Sequence, residues 1–277
     1  MTINKLLKMS SHKAINENTK NILFLGHGYV SQFLTTHHQV KNWRLSASIN
    51  SSKDKYFKTP DEVETIAFSH IDAKILDKHD SFVISIPPFY ALNTDAVIDK
   101  FHDYFLQRKA PYRLIYLSAT SVYGDHAGAK VREDATLKAQ SINGIARIAC
   151  ENKYKELQQN AAANIIILRL AAIYGDKRNN ILSIQNKTTI SNANTTRLIS
   201  RTHVLDISNI IQSILLSHKV KNITLNVADD NPCTSKILND YICDKLLKIP
   251  RLPVQENAKE VRHSSFALDN KIVDNAL

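Results

Sequence analysis

Residues 21–34 read Asn-Ile-Leu-Phe-Leu-Gly-His-Gly-Tyr-Val-Ser-Gln-Phe-Leu, and this stretch decides the fold. Four apolar residues, 22–25, form a buried-strand run, a glycine turn follows, and residues 29–38 carry the pattern of a helix. Gly26 permits a tight turn. Gly28 lets the backbone come close to a pyrophosphate, which the free N–H groups and positive end of the following helix stabilise. Ser31 stands where the third glycine or alanine of such a turn is usual, and is small enough to keep helix and strand in contact. Gly26, His27, Gly28, Tyr29 and Val30 are therefore candidate dinucleotide-binding residues, with a bare structural turn as the alternative.

Working outward, the same alternation repeats. Strand-like runs occur at 45–49, 66–68, 82–86, 114–117, 165–170 and 223–227, with residues 91–107 apolar at helical spacing between the fourth and fifth. Runs rich in Ile, Leu and Val on both faces, separated by helices, predict an α/β fold: a Rossmann-type doubly wound parallel sheet with a small C-terminal substrate lobe. Residues 1–20 read as a flexible tail, 21–175 as the dinucleotide-binding domain, and 176–277 as a mixed segment that completes the sheet and forms the lobe. In that segment, 207–216 is a scaffold helix with Asp206 placed to cap it, and the polar stretch 176–200 reads as a loop or small lobe over the sheet.

Composition narrows the function. The chain has 277 residues, 43% of them hydrophobic, which is enough for a large core and excludes general disorder. No run of apolar residues is long enough to span a membrane, and the expected location is the cytoplasm. Three cysteines without paired spacing read as free thiols, and eleven histidines without a metal-site pattern predict no metal. The net charge of +10 suits an anionic partner, yet the cations are scattered, which makes a nucleic acid the less favoured choice.

A dinucleotide site usually carries an acid about twenty residues past the turn, to bind the ribose hydroxyls. Residues 21–53 contain no Asp or Glu, although Asp54 would serve on a longer strand. The end of the second strand offers Asn50, Ser51 and Lys53 instead, so NADP is slightly favoured over NAD. Asp72 is a further cofactor-binding candidate, with helix capping as its alternative, and Pro87 stiffens the loop after the fourth strand.

Three further segments sharpen the reading: Tyr-Leu-Ser-Ala-Thr-Ser-Val-Tyr-Gly-Asp-His-Ala-Gly at 116–128, Ile-Leu-Arg-Leu-Ala-Ala-Ile-Tyr-Gly-Asp-Lys-Arg-Asn at 167–179, and Thr-His-Val-Leu-Asp-Ile at 202–207. Together with the glycine turn, they resemble the extended short-chain dehydrogenase/reductase family, also called the NAD-dependent epimerase/dehydratase family. The spacing of Gly26, Gly28 and Ser31 is similar to that of atypical bacterial members. The resemblance implies a dinucleotide cofactor, a sugar-nucleotide or similar small-molecule substrate, and a homodimer. It also implies a Ser or Thr at the end of the fifth strand and a Tyr-x-x-x-Lys pair on the next helix.

Here the sequence departs from the family. The hydroxyl position holds Ala119, flanked by Ser118, Thr120 and Ser121, and the Tyr and Lys positions hold Asn143 and Arg147. Asparagine does not titrate, and arginine is too basic to exchange protons near neutrality. Two readings follow: an enzyme using another acid or base, for which Tyr123, Tyr174 and His126 are candidates, or a dinucleotide-binding or regulatory protein without turnover. Arg197 and Arg201 fall where members of the family hold substrate phosphates.

Overall fold

The computed structural model describes residues 19–38, 41–50, 56–186, 191–192, 197–251, 254–255 and 267–268. Ser51, Lys53, Asp54 and nearly all of the expected tail lie outside the described residues.

All seven runs read from the sequence become strands of a single sheet. They are β1 (Lys20–Leu25), β2 (Trp43–Ile49), β3 (Glu64–Ala67), β4 (Ser81–Ile84), β5 (Tyr112–Ala119), β6 (Ala163–Leu170) and β7 (Ile223–Val227). Their spatial order is β7-β6-β5-β4-β1-β2-β3, and every adjacent pair is parallel. Strand order reverses between β1 and β4, and in such sheets ligands bind beyond the carboxyl ends of the strands at that point.

Alternation along the strands builds two cores. Ile22 and Phe24 of β1 face one side, with α1 (Tyr29–His37) and α6 (Val204–Leu216) packed over them. Leu23 and Leu25 face the other, with Phe101 and Phe105 of α3 (Ala96–Gln107) and Cys150 and Tyr154 of α4 (Ile142–Glu156). All four β1 residues are fully buried, each contributing about 1.5–3 kcal/mol of apolar transfer. The remaining α-helices among the described residues are α2 (Ala73–Asp77), α5 (Asn180–Gln185) and α7 (Ser235–Tyr241), the last continued by a π-helical turn, Ile242–Leu247.

Element boundaries shift by a few residues from the periodicity, three of them with a visible physical cause. Helix α3 begins at Ala96 rather than at residue 91, because the buried Asp95 carboxylate accepts from the Val97 and Ile98 N–H groups and residues 89–94 close a turn through Phe89 and Thr94. Leu92 is consequently 70% exposed. Helix α6 begins at Val204, where the His203 ring accepts from the Leu205 N–H, so Asp206 sits in the first turn instead of at the cap. The fourth strand stops at Ile84, since the Ser85 hydroxyl turns back to the Gly26 carbonyl.

Candidate functional site

Gly26 adopts φ +101°, and a Cβ there would lie 2.8 Å from Ser85 Oγ and 2.9 Å from the Ile86 nitrogen. The turn is pinned from both flanking strands. The Gly26 N–H donates to Ser48 Oγ of β2 at 2.7 Å, and Ser85 Oγ, just past β4, donates to the Gly26 carbonyl at 2.8 Å. Ser31 joins this arrangement, its hydroxyl 3.1 Å from that of Ser85. Ser48 and Ser85 were missed in the sequence, where the only signal was a small hydroxyl residue near the end of each neighbouring strand.

Gly28 is the N-cap of α1. Its backbone is extended, no side chain caps the helix, the first turn carries no acid, and a Cβ there would meet nothing within 4 Å. The first N–H groups of a helix have no partner within it, so this end presents donors and positive potential to open space. A phosphate group fits that geometry.

Around the turn, side chains brace and backbone is offered. The buried His27 sets its Nε2 3.1 Å from Thr35 Oγ1, and its carbonyl accepts from Gln32 Nε2. Gln32 Oε1 accepts from the Tyr56 and Phe57 N–H groups, fastening the segment after β2 to α1. Tyr29 and Val30 are buried, and the Tyr29 hydroxyl donates to the Asp176 carbonyl at 2.6 Å. Asn50 is exposed just past β2, and Pro87 is exposed beyond β4. Asp72 caps α2, its Oδ1 accepting from the Ile75 N–H at 2.9 Å.

At the end of β5 the chain makes a 3-10 turn, Thr120–Tyr123, and α4 packs against it. The approach is close enough that a Cβ on Gly144 would lie 2.5 Å from the Ser121 carbonyl. This brings together Thr120, half-buried in the turn, exposed Asn143 in the first turn of α4, and Arg147, whose Nη1 donates to the Leu117 carbonyl at 3.2 Å. Beside them, Phe89, Tyr90, Ala91, Leu92 and Ile142 line an open depression of about 550 Å³.

Two hydroxyls expected to do chemistry are buried, each with partners in the core. Ser118 donates to Glu151 Oε1 at 2.6 Å, and Glu151, fully buried, pairs with Arg169 at 2.8 Å. Tyr123 is fully buried, donates to Asn226 Oδ1 at 2.6 Å and accepts from Arg169 Nη1 at 2.9 Å. Burial pushes the Tyr123 pKa up, against the pull of the Arg169 guanidinium. His126 Nε2 lies 3.2 Å from the Thr136 carbonyl, and the partly exposed Tyr174 sits edge-on to His203, its pKa raised chiefly by desolvation.

The two candidate phosphate arginines separate. Arg201 Nη1 donates to the Ile199 and Cys233 carbonyls at 3.0 and 3.1 Å, tying two loops together. Arg197 is half-buried near Asp125, and desolvation lowers its pKa against the pull of that carboxylate. Among the described residues no cluster of His, Cys, Asp or Glu could hold a metal ion, and no helix is long and apolar enough to cross a membrane.

Solved structures share this architecture. A functionally unknown conserved protein from Silicibacter pomeroyi is 23% identical, with a TM-score of 0.79 over 93% of this chain and 92% of the other. UDP-glucuronic acid 4-epimerase from Bacillus cereus, solved with NAD, is 16% identical with a TM-score of 0.77 over 93% and 92%. WbmG from Bordetella bronchiseptica, also solved with NAD, is 17% identical with a TM-score of 0.76 over 94% and 88%. No curated protein matches the sequence. Residues 13–207 match the family described as NAD dependent epimerase/dehydratase, and the chain belongs to that family.

Proposed function

We propose that the protein binds a nicotinamide dinucleotide at the carboxyl edge of its sheet and acts as an epimerase/dehydratase-like oxidoreductase on a small metabolite, a sugar nucleotide or a compound similar to one. The observation that carries this reading is the uncapped helix end at Gly28, facing open space beside a turn pinned at Gly26. Complexes of similar fold, the Bacillus cereus epimerase among them, hold UDP-glucuronic acid and NAD, which supports the same ligand classes for this chain. With no acid in residues 21–53 to bind a ribose diol, and Asp54 the first that follows, NADP is slightly favoured over NAD.

When bound, the nicotinamide supplies the hydride acceptor or donor. The work of this chain is to orient. Arg147 offers a fixed positive charge, Asn143 a neutral hydrogen-bonding amide, and Thr120 a hydroxyl, all near the end of β5. None of these three takes up and returns a proton near neutral pH in the way a lysine-assisted tyrosine does. The second reading, a dinucleotide-binding protein without turnover, draws its support from that set and from the locked hydroxyl of Tyr123.

Calorimetric titration with NADPH, NADH and their oxidised forms tests the proposal. Saturable binding of at least one form is expected, and at a hundredfold excess over Kd it adds about 2.7 kcal/mol to folding stability. Absence of binding for all four would overturn the dinucleotide site. Binding without reduction or oxidation across a panel of sugar nucleotides would favour the silent reading.

A further inference from the structure

The turn after β6 places two cations against the helix that begins the proposed site. Gly175 and Arg178 close it by reciprocal backbone hydrogen bonds of 2.9 and 3.2 Å, with Asp176 and Lys177 at its tip. It is pressed onto α1 and α6: a Cβ on Gly175 would lie 2.6 Å from Val204 Cγ1 and 2.8 Å from the Tyr29 hydroxyl.

Each tip residue has a fixed neighbour. The Asp176 carbonyl accepts from the Tyr29 hydroxyl. The Lys177 ammonium donates to the Tyr56 carbonyl at 2.8 Å and lies 4.8 Å from the Phe57 ring centre. The Arg178 guanidinium lies 5.6 Å from the centre of the Tyr29 ring. Both cations are exposed, and the ion pairs among the described residues include neither of them.

Their neighbours matter more than their charge. Tyr29 follows Gly28 directly as the first residue of α1, and Tyr56 and Phe57 are the first described residues after the connection that leaves β2. In a dinucleotide-binding sheet, the glycine turn ahead of Tyr29 grips the pyrophosphate and the end of β2, which the chain leaves before reaching Tyr56, grips the adenosine ribose. An acid at the end of β2 would bind a free ribose diol, whereas a guanidinium nearby accommodates a phosphate on the 2′ oxygen. Residues 21–53 supply no acid, Asp54 lies outside the described residues, and the turn beyond β6 sets its two cations on Tyr29 and Tyr56.

We infer that Lys177 and Arg178 form a phosphate-recognising pair that selects the 2′-phosphorylated dinucleotide. This rests on the dinucleotide reading above and adds its selectivity device. Asp176 in the same turn offsets part of the charge, and its carbonyl, held by Tyr29, fixes the direction in which the two cations leave the backbone.

The test is a titration of the full chain and its variants Arg178→Gln, Lys177→Met and the double substitution with NADPH, NADH, adenosine 2′,5′-bisphosphate and AMP. The unsubstituted chain should bind NADPH and the bisphosphate about ten- to a hundredfold more tightly than NADH and AMP, the range of one or two charge-assisted contacts. The double variant should lose that margin while its NADH affinity stays unchanged, and Arg178→Lys should keep part of it. Unchanged thermal melting of the variants would show that the fold is intact.

An NADPH-to-NADH ratio that the variants leave untouched would overturn the inference. Equal loss for both ligands would overturn it too, since the phosphate recognised would then be the pyrophosphate they share. If the unsubstituted chain binds none of the four ligands, the dinucleotide reading itself fails and the inference falls with it.

Discussion

At Gly28 binding and folding can be separated by one substitution. The backbone is already extended, as an N-cap requires, and an added side chain meets open space. Gly28→Asp supplies the missing cap, so the protein should unfold at the same or slightly higher urea concentration, by a few tenths of a kcal/mol. The same carboxylate would stand where a phosphate belongs, and dinucleotide affinity should fall by about tenfold or more in titration calorimetry. Tyr123 is the opposite case. Tyr123→Phe removes a hydroxyl held between Asn226 and Arg169, and should cost about 1–3 kcal/mol in denaturant unfolding while leaving dinucleotide affinity unchanged. Loss of affinity with no loss of stability would return Tyr123 to the site. Its neighbourhood could not be read from the sequence, because Asn226 lies 103 positions away.

At the scale of elements, the contact between α4 and the Thr120–Tyr123 turn decides whether Thr120, Asn143 and Arg147 form a site at all. Gly144→Ala puts a methyl group 2.5 Å from the Ser121 carbonyl and must push the helix outward. The expected cost is about 1–3 kcal/mol, the range for overpacking, measured as a lower urea midpoint. Because the helix carries Arg147 away from the Leu117 carbonyl, dinucleotide affinity should fall as well. A buried network ties the same helix down: Glu151 joins Ser118 of β5 to Arg169 of β6. The sequence located α4 only through its family resemblance, and Glu151 carried no signal of its own. A lone acid on a helix normally faces solvent, and only the folded sheet shows that this one faces an arginine.

Over the whole molecule, stability should weaken on mild acidification. His79 is buried, with Nδ1 2.8 Å from the Ile75 carbonyl and Nε2 3.0 Å from Ser46 Oγ, and desolvation lowers its pKa from 6.5. The native state thus favours the neutral ring. Its contribution is fully present above the unfolded value of 6.5 and is lost as pH falls below it through the depressed folded value. Asp95 works in the opposite sense: burial raises its pKa, so its contribution is present below 3.8 and lost as pH rises through the folded value. Urea midpoints taken from about pH 7 to about pH 5.5 should therefore decline, and His79→Gln should flatten the decline. An unchanged slope in that variant would assign the acid sensitivity elsewhere.

The sequence by itself determined the sheet, the glycine turn and the family. Strand runs, a short-range turn and a helix start are written in consecutive residues, and their periodicities survive in any tertiary setting. It also showed that no acid stands between the glycine turn and Asp54, and that residues 124–153 contain no tyrosine. Tertiary structure alone decided which side chains meet. It gave Ser118 and Tyr123 buried hydrogen-bond partners, set the Asp72 carboxylate on the Ile75 N–H, and held Arg201 between two loop carbonyls. It also brought Lys177, in the turn beyond β6, to Tyr56, 121 positions away. The physical reason is that hydrogen bonds and ion pairs act over a few ångströms, and only the folded chain brings residues that far apart in sequence within that range.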